Sequence, residues 1–266
     1  MKIRAIGTGS PFCRHPLVTT SFLIQSENSN VLVGCGPNIP AKLETINLSL
    51  DKIDMWVLPY FGFDQIGGLF EVASRLSPSQ RPYLVAPNVV LQEVRKIFKA
   101  ITGKTLDGFF SMRSVKKITI NEEHFAEEAT FVDNYFEEGS YGLYLENSQI
   151  FITGRCELNE DFLHHYGATA ELILHECNLG ETHYFGRKTV ALQELQSLPL
   201  YLQKKLWIYG YDSSYLTVED PLPMLFLPQG TCIFDSERKD KHLDKERFIR
   251  ENSKRQLGNL SSHPVS

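Results

Sequence analysis

The stretch that most restricts the fold runs from Ile53 to Leu76. An apolar, strand-like segment (Ile53 to Leu58) passes through Pro59-Tyr60-Phe61-Gly62-Phe63-Asp64-Gln65-Ile66-Gly67-Gly68 into a helix-like run ending at Leu76. A strand that stops at a tight loop and re-enters as a helix calls for a layered α/β arrangement, with the helix laid back against the sheet. The glycine pair at the head of that helix lets it lie close to its neighbours, and the loop end is a common place to build a site.

The rest of the chain repeats strand and helix signals. Met1 to Gly7 alternates like a first strand and ends in the loop Gly7-Thr8-Gly9-Ser10-Pro11. Val18 to Gln25 and Asn30 to Val33 read as a hairpin turning at Ser26-Glu27-Asn28-Ser29. Pro40 to Ile46 reads as a short helix and Pro82 to Ala86 as a strand. Pro87 then opens an amphipathic helix with Val90, Leu91, Val94, Ile97, Phe98 and Ile101 on one stripe, closed by Gly103. From Val115 to Leu145 the pattern is β-rich; Ile150 to Cys156, Ala170 to Cys177 and Lys205 to Ile208 read as further strands, and Lys188 to Ser197 as a helix.

Composition narrows the function classes. A chain of 266 residues with 42% hydrophobic and 11% aromatic residues can bury a sizeable core. A net charge of −5 gives no bulk attraction to nucleic acid or anionic membranes, and no apolar run is long enough to span a bilayer. Five cysteines, scattered and never spaced as CxxC, read as free thiols, and the expected location is the cytoplasm. Two regions are expected, a folded domain over 1–234 and a charged, partly disordered tail over 235–266.

Taken in order, Gly7-Thr8-Gly9-Ser10, Gly34-Cys35-Gly36, Asp64-Gln65-Ile66-Gly67-Gly68-Leu69, Thr153-Gly154-Arg155 and Leu172-Ile173-Leu174-His175-Glu176-Cys177 resemble the metallo-β-lactamase superfamily, in its RNase Z-like and phosphodiesterase-like branch. The resemblance covers roughly residues 1 to 215. It implies a four-layer αββα sandwich, two mixed β-sheets flanked by helices. It also implies a binuclear zinc centre on T-H-x-H-x-D-H, where this chain has Tyr60-Phe61-Gly62-Phe63-Asp64-Gln65. Set on that motif, Tyr60, Gly62 and Gln65 stand at histidine positions and Asp64 alone remains. Gly34 replaces a supporting aspartate, Arg155 the aspartate that bridges both metals, and Tyr209-Gly210-Tyr211-Asp212 the segment with the last histidine. Glu137-Glu138 fill a stretch that carries another.

The expected cofactor is therefore none, with the zinc site lost and no catalytic residue retained. Asp64, His175, Glu176 and His183 are read as vestigial. Asp64 is expected to cap the following helix and His175 to bond Glu176 at a strand end. An anion or nucleotide, if bound, would be held by Arg155, Tyr60, Tyr209 and Tyr211. The expected function is a catalytically inactive protein-binding or structural subunit of a homo- or hetero-oligomer. Its candidate contact surfaces are the 76–82 loop, the tail and the apolar Pro221 to Pro228 segment, which otherwise reads as a closing strand. The alternatives are a residual metal-dependent phosphodiesterase or hydrolase using Asp64, His175, Glu176 and His183, and a nucleotide or anion sensor.

Overall fold

A computed structural model describes residues 1–77, 79–120, 126–134, 139–177, 183–184, 187–188, 190–211 and 225–248, the four in 183–188 by backbone alone. Its first sheet contains β1 (Lys2–Gly7), β2 (Ser21–Gln25), β3 (Asn30–Val33), β4 (Met55–Val57), β5 (Tyr83–Ala86) and β6 (Ser111–Ser114). Its second contains β7 (Lys117–Ile120), β8 (Glu127–Asp133), β9 (Tyr141–Leu145), β10 (Ile150–Ile152), β11 (Leu172–Glu176), β14 (Leu206–Tyr209) and β15 (Leu225–Phe226), with β12 (His183–Tyr184) and β13 (Arg187–Lys188) pairing as a separate hairpin. The last strand, β16 (Cys232–Asp235), returns to pair with β1 and completes seven strands in the first sheet. The helices are α1 (Ile39–Thr45), α2 (Phe63–Ile66), α3 (Leu69–Arg75), α4 (Asn88–Thr102), α5 (Glu160–Gly167), α6 (Leu192–Gln196) and α7 (Leu200–Lys205).

Both sheets are mixed. β1 to β3 run antiparallel and β3 to β6 parallel; β7 to β10 run antiparallel, and β10, β11, β14 and β15 parallel. The two-residue period of a strand divides each side-chain set between two cores. Phe22, Ile24, Val31, Val33, Val57 and Val85 of the first sheet meet Ile118, Leu143, Ile152, Leu174 and Trp207 of the second in a central core. The other face of the first sheet (Leu23, Leu32, Trp56, Leu84) is covered by Leu43 of α1, Val72 of α3 and Val94 and Phe98 of α4. The other face of the second (Phe151, Ile173, Ile208) is covered by Phe162 of α5, Leu195 of α6 and Leu202 of α7. These are the four αββα layers that the resemblance implied.

Two elements differ from the sequence reading. The buried stripe of α4 ends at Phe98, and Ile101 is 66% exposed, because its helical period continues past the end of the core. The boundary drawn at 234 falls inside β16. Beyond it Leu243 and Phe248 pack on the central core, with the Phe248 ring edge-on to Trp207 at 5.4 Å, and His242 Nε2 bonds the Ser148 carbonyl. The Pro221 to Pro228 segment supplies β15, the edge strand of the second sheet, while 221–224 lie outside the described residues. No helix among the described residues is long and apolar enough to cross a membrane, and all five cysteines are free thiols.

Candidate functional site

Parallel strands present their carboxyl ends on one side, where an α/β sheet usually holds its ligand. Here the ends of β3 (Gly34 to Gly36), β4 (Leu58 to Gly62), β10 (Thr153 to Cys156), β11 (Glu176, Cys177) and β14 (Tyr209 to Tyr211) come together between the sheets. The loop after β1 joins them. Gly210 N–H donates to the Thr8 carbonyl at 2.8 Å, Ser10 N–H to the Tyr211 carbonyl at 3.1 Å, and Gly9 bridges Thr19 and Tyr211.

Backbone geometry fixes how closely these loops meet. Gly34 sits at φ +79°, and a Cβ there would lie 2.6 Å from Gln65 Oε1. Gly68 lies so near the Gly36 carbonyl that a Cβ would come within 2.4 Å of it. This is the close approach expected of the glycine pair. Gly62, extended at φ −65° and ψ 153°, is the N-cap of α2 and makes no side-chain cap.

Asp64 does not cap that helix. Its buried carboxylate accepts from Arg155 Nη2 at Oδ1 (2.7 Å), and from the Tyr60 hydroxyl at Oδ2, with Gln65 Nε2 3.4 Å from the same oxygen. A side chain already inside the first turn loses less by turning to a cation than by competing for backbone amides. The side chains of Arg155 and Asp64 are 16% and 4% exposed, so this is a nearly buried ion pair whose more exposed member is Arg155. The Arg155 guanidinium carbon lies 4.8 Å from the Tyr60 ring centroid.

The loop carrying Arg155 is clamped from its own backbone. Asn134 Nδ2 donates to the Arg155 carbonyl at 2.8 Å, and the Ser140 hydroxyl donates to it at 2.7 Å. Sequence reasoning missed both residues. The signal was an asparagine just past the end of β8, inside the segment in which a ligand histidine was sought.

His175 and Glu176 do not form a side-chain pair. Neighbours on one strand point to opposite faces. His175 Nδ1 instead meets the Glu176 backbone carbonyl at 2.7 Å and its Nε2 lies 3.8 Å from Cys156 Sγ. Burial pulls the His175 pKa down to about 4 and pushes the Cys156 thiol up to about 12, so both are neutral near pH 7. Burial also lifts Glu176 to about 7, against the Arg155 charge, which lowers it, while Asp64 adds to the rise. The Glu176 stem packs under Gly210, where a Cβ would sit 2.6 Å from Glu176 Cγ.

The tyrosines fill space. Tyr209 is buried and donates its hydroxyl to the Gly154 carbonyl at 3.3 Å; Tyr211 is buried with its hydroxyl on the Leu227 carbonyl (2.7 Å) and 3.0 Å from Thr8 Oγ1. Phe63, next to Asp64 in the same motif, is by contrast 59% exposed. Glu137, Glu138, Asp212 and the His183 side chain lie outside the described residues.

The residues present do not fit the binuclear metal centre that the fold family implies. Among the described residues no three of His, Cys, Asp or Glu converge as a ligand set. Asp64 offers its two oxygens to Arg155 and Tyr60 rather than to an ion. A dication 4 Å from the guanidinium would meet a repulsion of about 8 kcal/mol at an effective dielectric of about 20.

The model of the family described as anti-Pycsar protein Apyc1 matches residues 1–233. The chain belongs to this family. The anti-Pycsar protein Apyc1 of Paenibacillus harenae is 24% identical over 231 residues, covering 79% of this chain and 90% of that protein; the one of Bacillus phage BSP38 is 23% identical over 231 residues, covering 79% and 88%. Among solved structures, a diphosphatase of the PhnP family aligns with TM-score 0.68 and 15% identity, covering 91% of this chain and 99% of that one. YhfI of Bacillus subtilis, a metallo-β-lactamase fold protein, aligns with TM-score 0.62 and 16% identity, covering 81% of this chain and 87% of that one; at such identities the likeness shows the fold alone, which is the metallo-β-lactamase fold. Family membership overturns the expectation of a catalytically inactive protein-binding or structural subunit. It directs the reading to the alternative, action on a phosphodiester or nucleotide.

Proposed function

We propose that this protein acts on a cyclic-nucleotide phosphodiester, binding its phosphate at the mouth of the Asp64–Arg155 site and hydrolysing one of its P–O ester bonds. The observation that carries the reading is the match of the anti-Pycsar Apyc1 family over 1–233, nearly the whole folded chain. The geometry supports it with chemistry of the required kind. Arg155 is a guanidinium in a nearly buried ion pair whose side chain keeps 16% exposure, and its fork of donors suits a phosphate's paired oxygens. Glu176, with a pKa of about 7, exchanges a proton near neutrality. As carboxylate it would take the proton of an attacking water, and as acid return it to the departing oxygen. Tyr60 braces the guanidinium from below.

The donor set favours a second reading beside this one, in which the nucleotide is held intact. One assay separates them. Purified protein is incubated with a panel of 3′,5′-cyclic mononucleotides of purine and pyrimidine bases, products are resolved by ion-exchange chromatography, and binding is followed by calorimetry. Appearance of the linear monophosphate, absent in Glu176→Gln, supports hydrolysis. Saturable binding without product supports capture. Neither binding nor product at millimolar nucleotide rejects both.

A further inference from the structure

We infer that Arg155 is the resident cation of this site and takes the place of the metal ions that the fold family implies. The argument is one of valence and charge and does not rest on the proposed reaction. Asp64 projects from a position that in the resembling family serves a metal, yet its Oδ1 takes Arg155 Nη2 at 2.7 Å and its Oδ2 takes the Tyr60 hydroxyl. Arg155 stands where the resembling family carries a second carboxylate, and it forms a nearly buried ion pair with Asp64. From the loop after β10 of the second sheet, one guanidinium thus pairs with the acid of α2, which follows β4 of the first sheet, and ties the two sheets together at the place where a bridging ion would sit. The arrangement is built rather than incidental. The arginine's carbonyl is held by Asn134 and Ser140, and its flat face rests over the Tyr60 ring. A permanent cation fixed by backbone clamps cannot be released by a chelator. It also lowers the affinity of the same spot for zinc or manganese.

The test is a double-mutant cycle read by thermal melting, together with elemental analysis of wild-type protein dialysed against zinc or manganese chloride. Wild type should retain under about a tenth of an equivalent of either metal and melt at the same temperature with or without chelator. Arg155→Met should lower Tm by about 10 °C, because it leaves a buried carboxylate unpaired. The same change made on Asp64→Asn should lower it by a few degrees only. If Arg155→Met does not fold, the double variant Asp64→Asn/Arg155→Met should fold. Equal losses on both backgrounds would overturn the inference. So would a double variant that fails to fold where Asp64→Asn folds, or an equivalent of metal held by wild type.

Discussion

Glu176 gives a sharp quantitative test, because its environment makes stability depend on pH in an unusual direction. An ordinary glutamate titrates at 4.5, and burial raises the folded value to about 7. Between those limits the native protein keeps a proton that the unfolded chain has released. Stability is therefore fully present below about pH 4.5 and falls with rising pH by about 1.4 kcal/mol per unit, or about 3 kcal/mol across the window. His175 works the other way. Its ordinary value of 6.5 is lowered to about 4, so the unfolded chain binds the extra proton and stability rises with pH over nearly the same range. The two slopes oppose each other in wild type. The readout is thus the difference between wild type and Glu176→Gln, in which the histidine cancels. Urea unfolding at pH 5 and pH 8 should show the Gln variant gaining about 2.5 kcal/mol on wild type as pH rises. A constant difference at the two pH values would refute the reasoning, since it would mean the carboxyl titrates alike in folded and unfolded chains.

Other predictions follow from packing. Gly34→Ala meets both a left-handed backbone at φ +79° and Gln65 Oε1 at 2.6 Å, and should cost about 2 kcal/mol or more in denaturant unfolding. Phe248→Ala removes a ring from Trp207 and should destabilise by about 2–3 kcal/mol, whereas a freely solvated tail residue would change nothing measurable. Ile101→Lys, on the exposed last turn of α4, should stay within about 0.5 kcal/mol of wild type.

The layers were legible in the sequence because period-2 strands, the Pro87 to Gly103 helix and the close glycine contacts are local signals. The carboxyl-end loops that form the site were legible as well, through the ordered short motifs. What was not legible is pairing. Asp64 and Arg155 are 91 positions apart, and the helix-capping role given to Asp64 was the best local alternative. The two had nonetheless been assigned to one metal centre, and opposite charges placed together in a dry site will pair. His175 and Glu176 were joined by adjacency, although strand geometry separates them. The chain after Asp235 was read from its charge, which hid the apolar anchors Leu243 and Phe248. The functional reading shifted for a different reason. Loss of zinc ligands bears on how chemistry could be done, whereas membership of the anti-Pycsar Apyc1 family bears on what the chain acts upon.

The central claim is that a guanidinium-held site acts on a phosphodiester. Its most direct test measures metal content and cyclic-nucleotide turnover on the same preparation, before and after exhaustive treatment with chelator. The account predicts turnover that survives the chelator in protein holding less than about a tenth of an equivalent of metal, and that falls by about tenfold or more in Arg155→Met. One or two tightly held equivalents, with turnover that vanishes on their removal and returns with zinc or manganese, would contradict it.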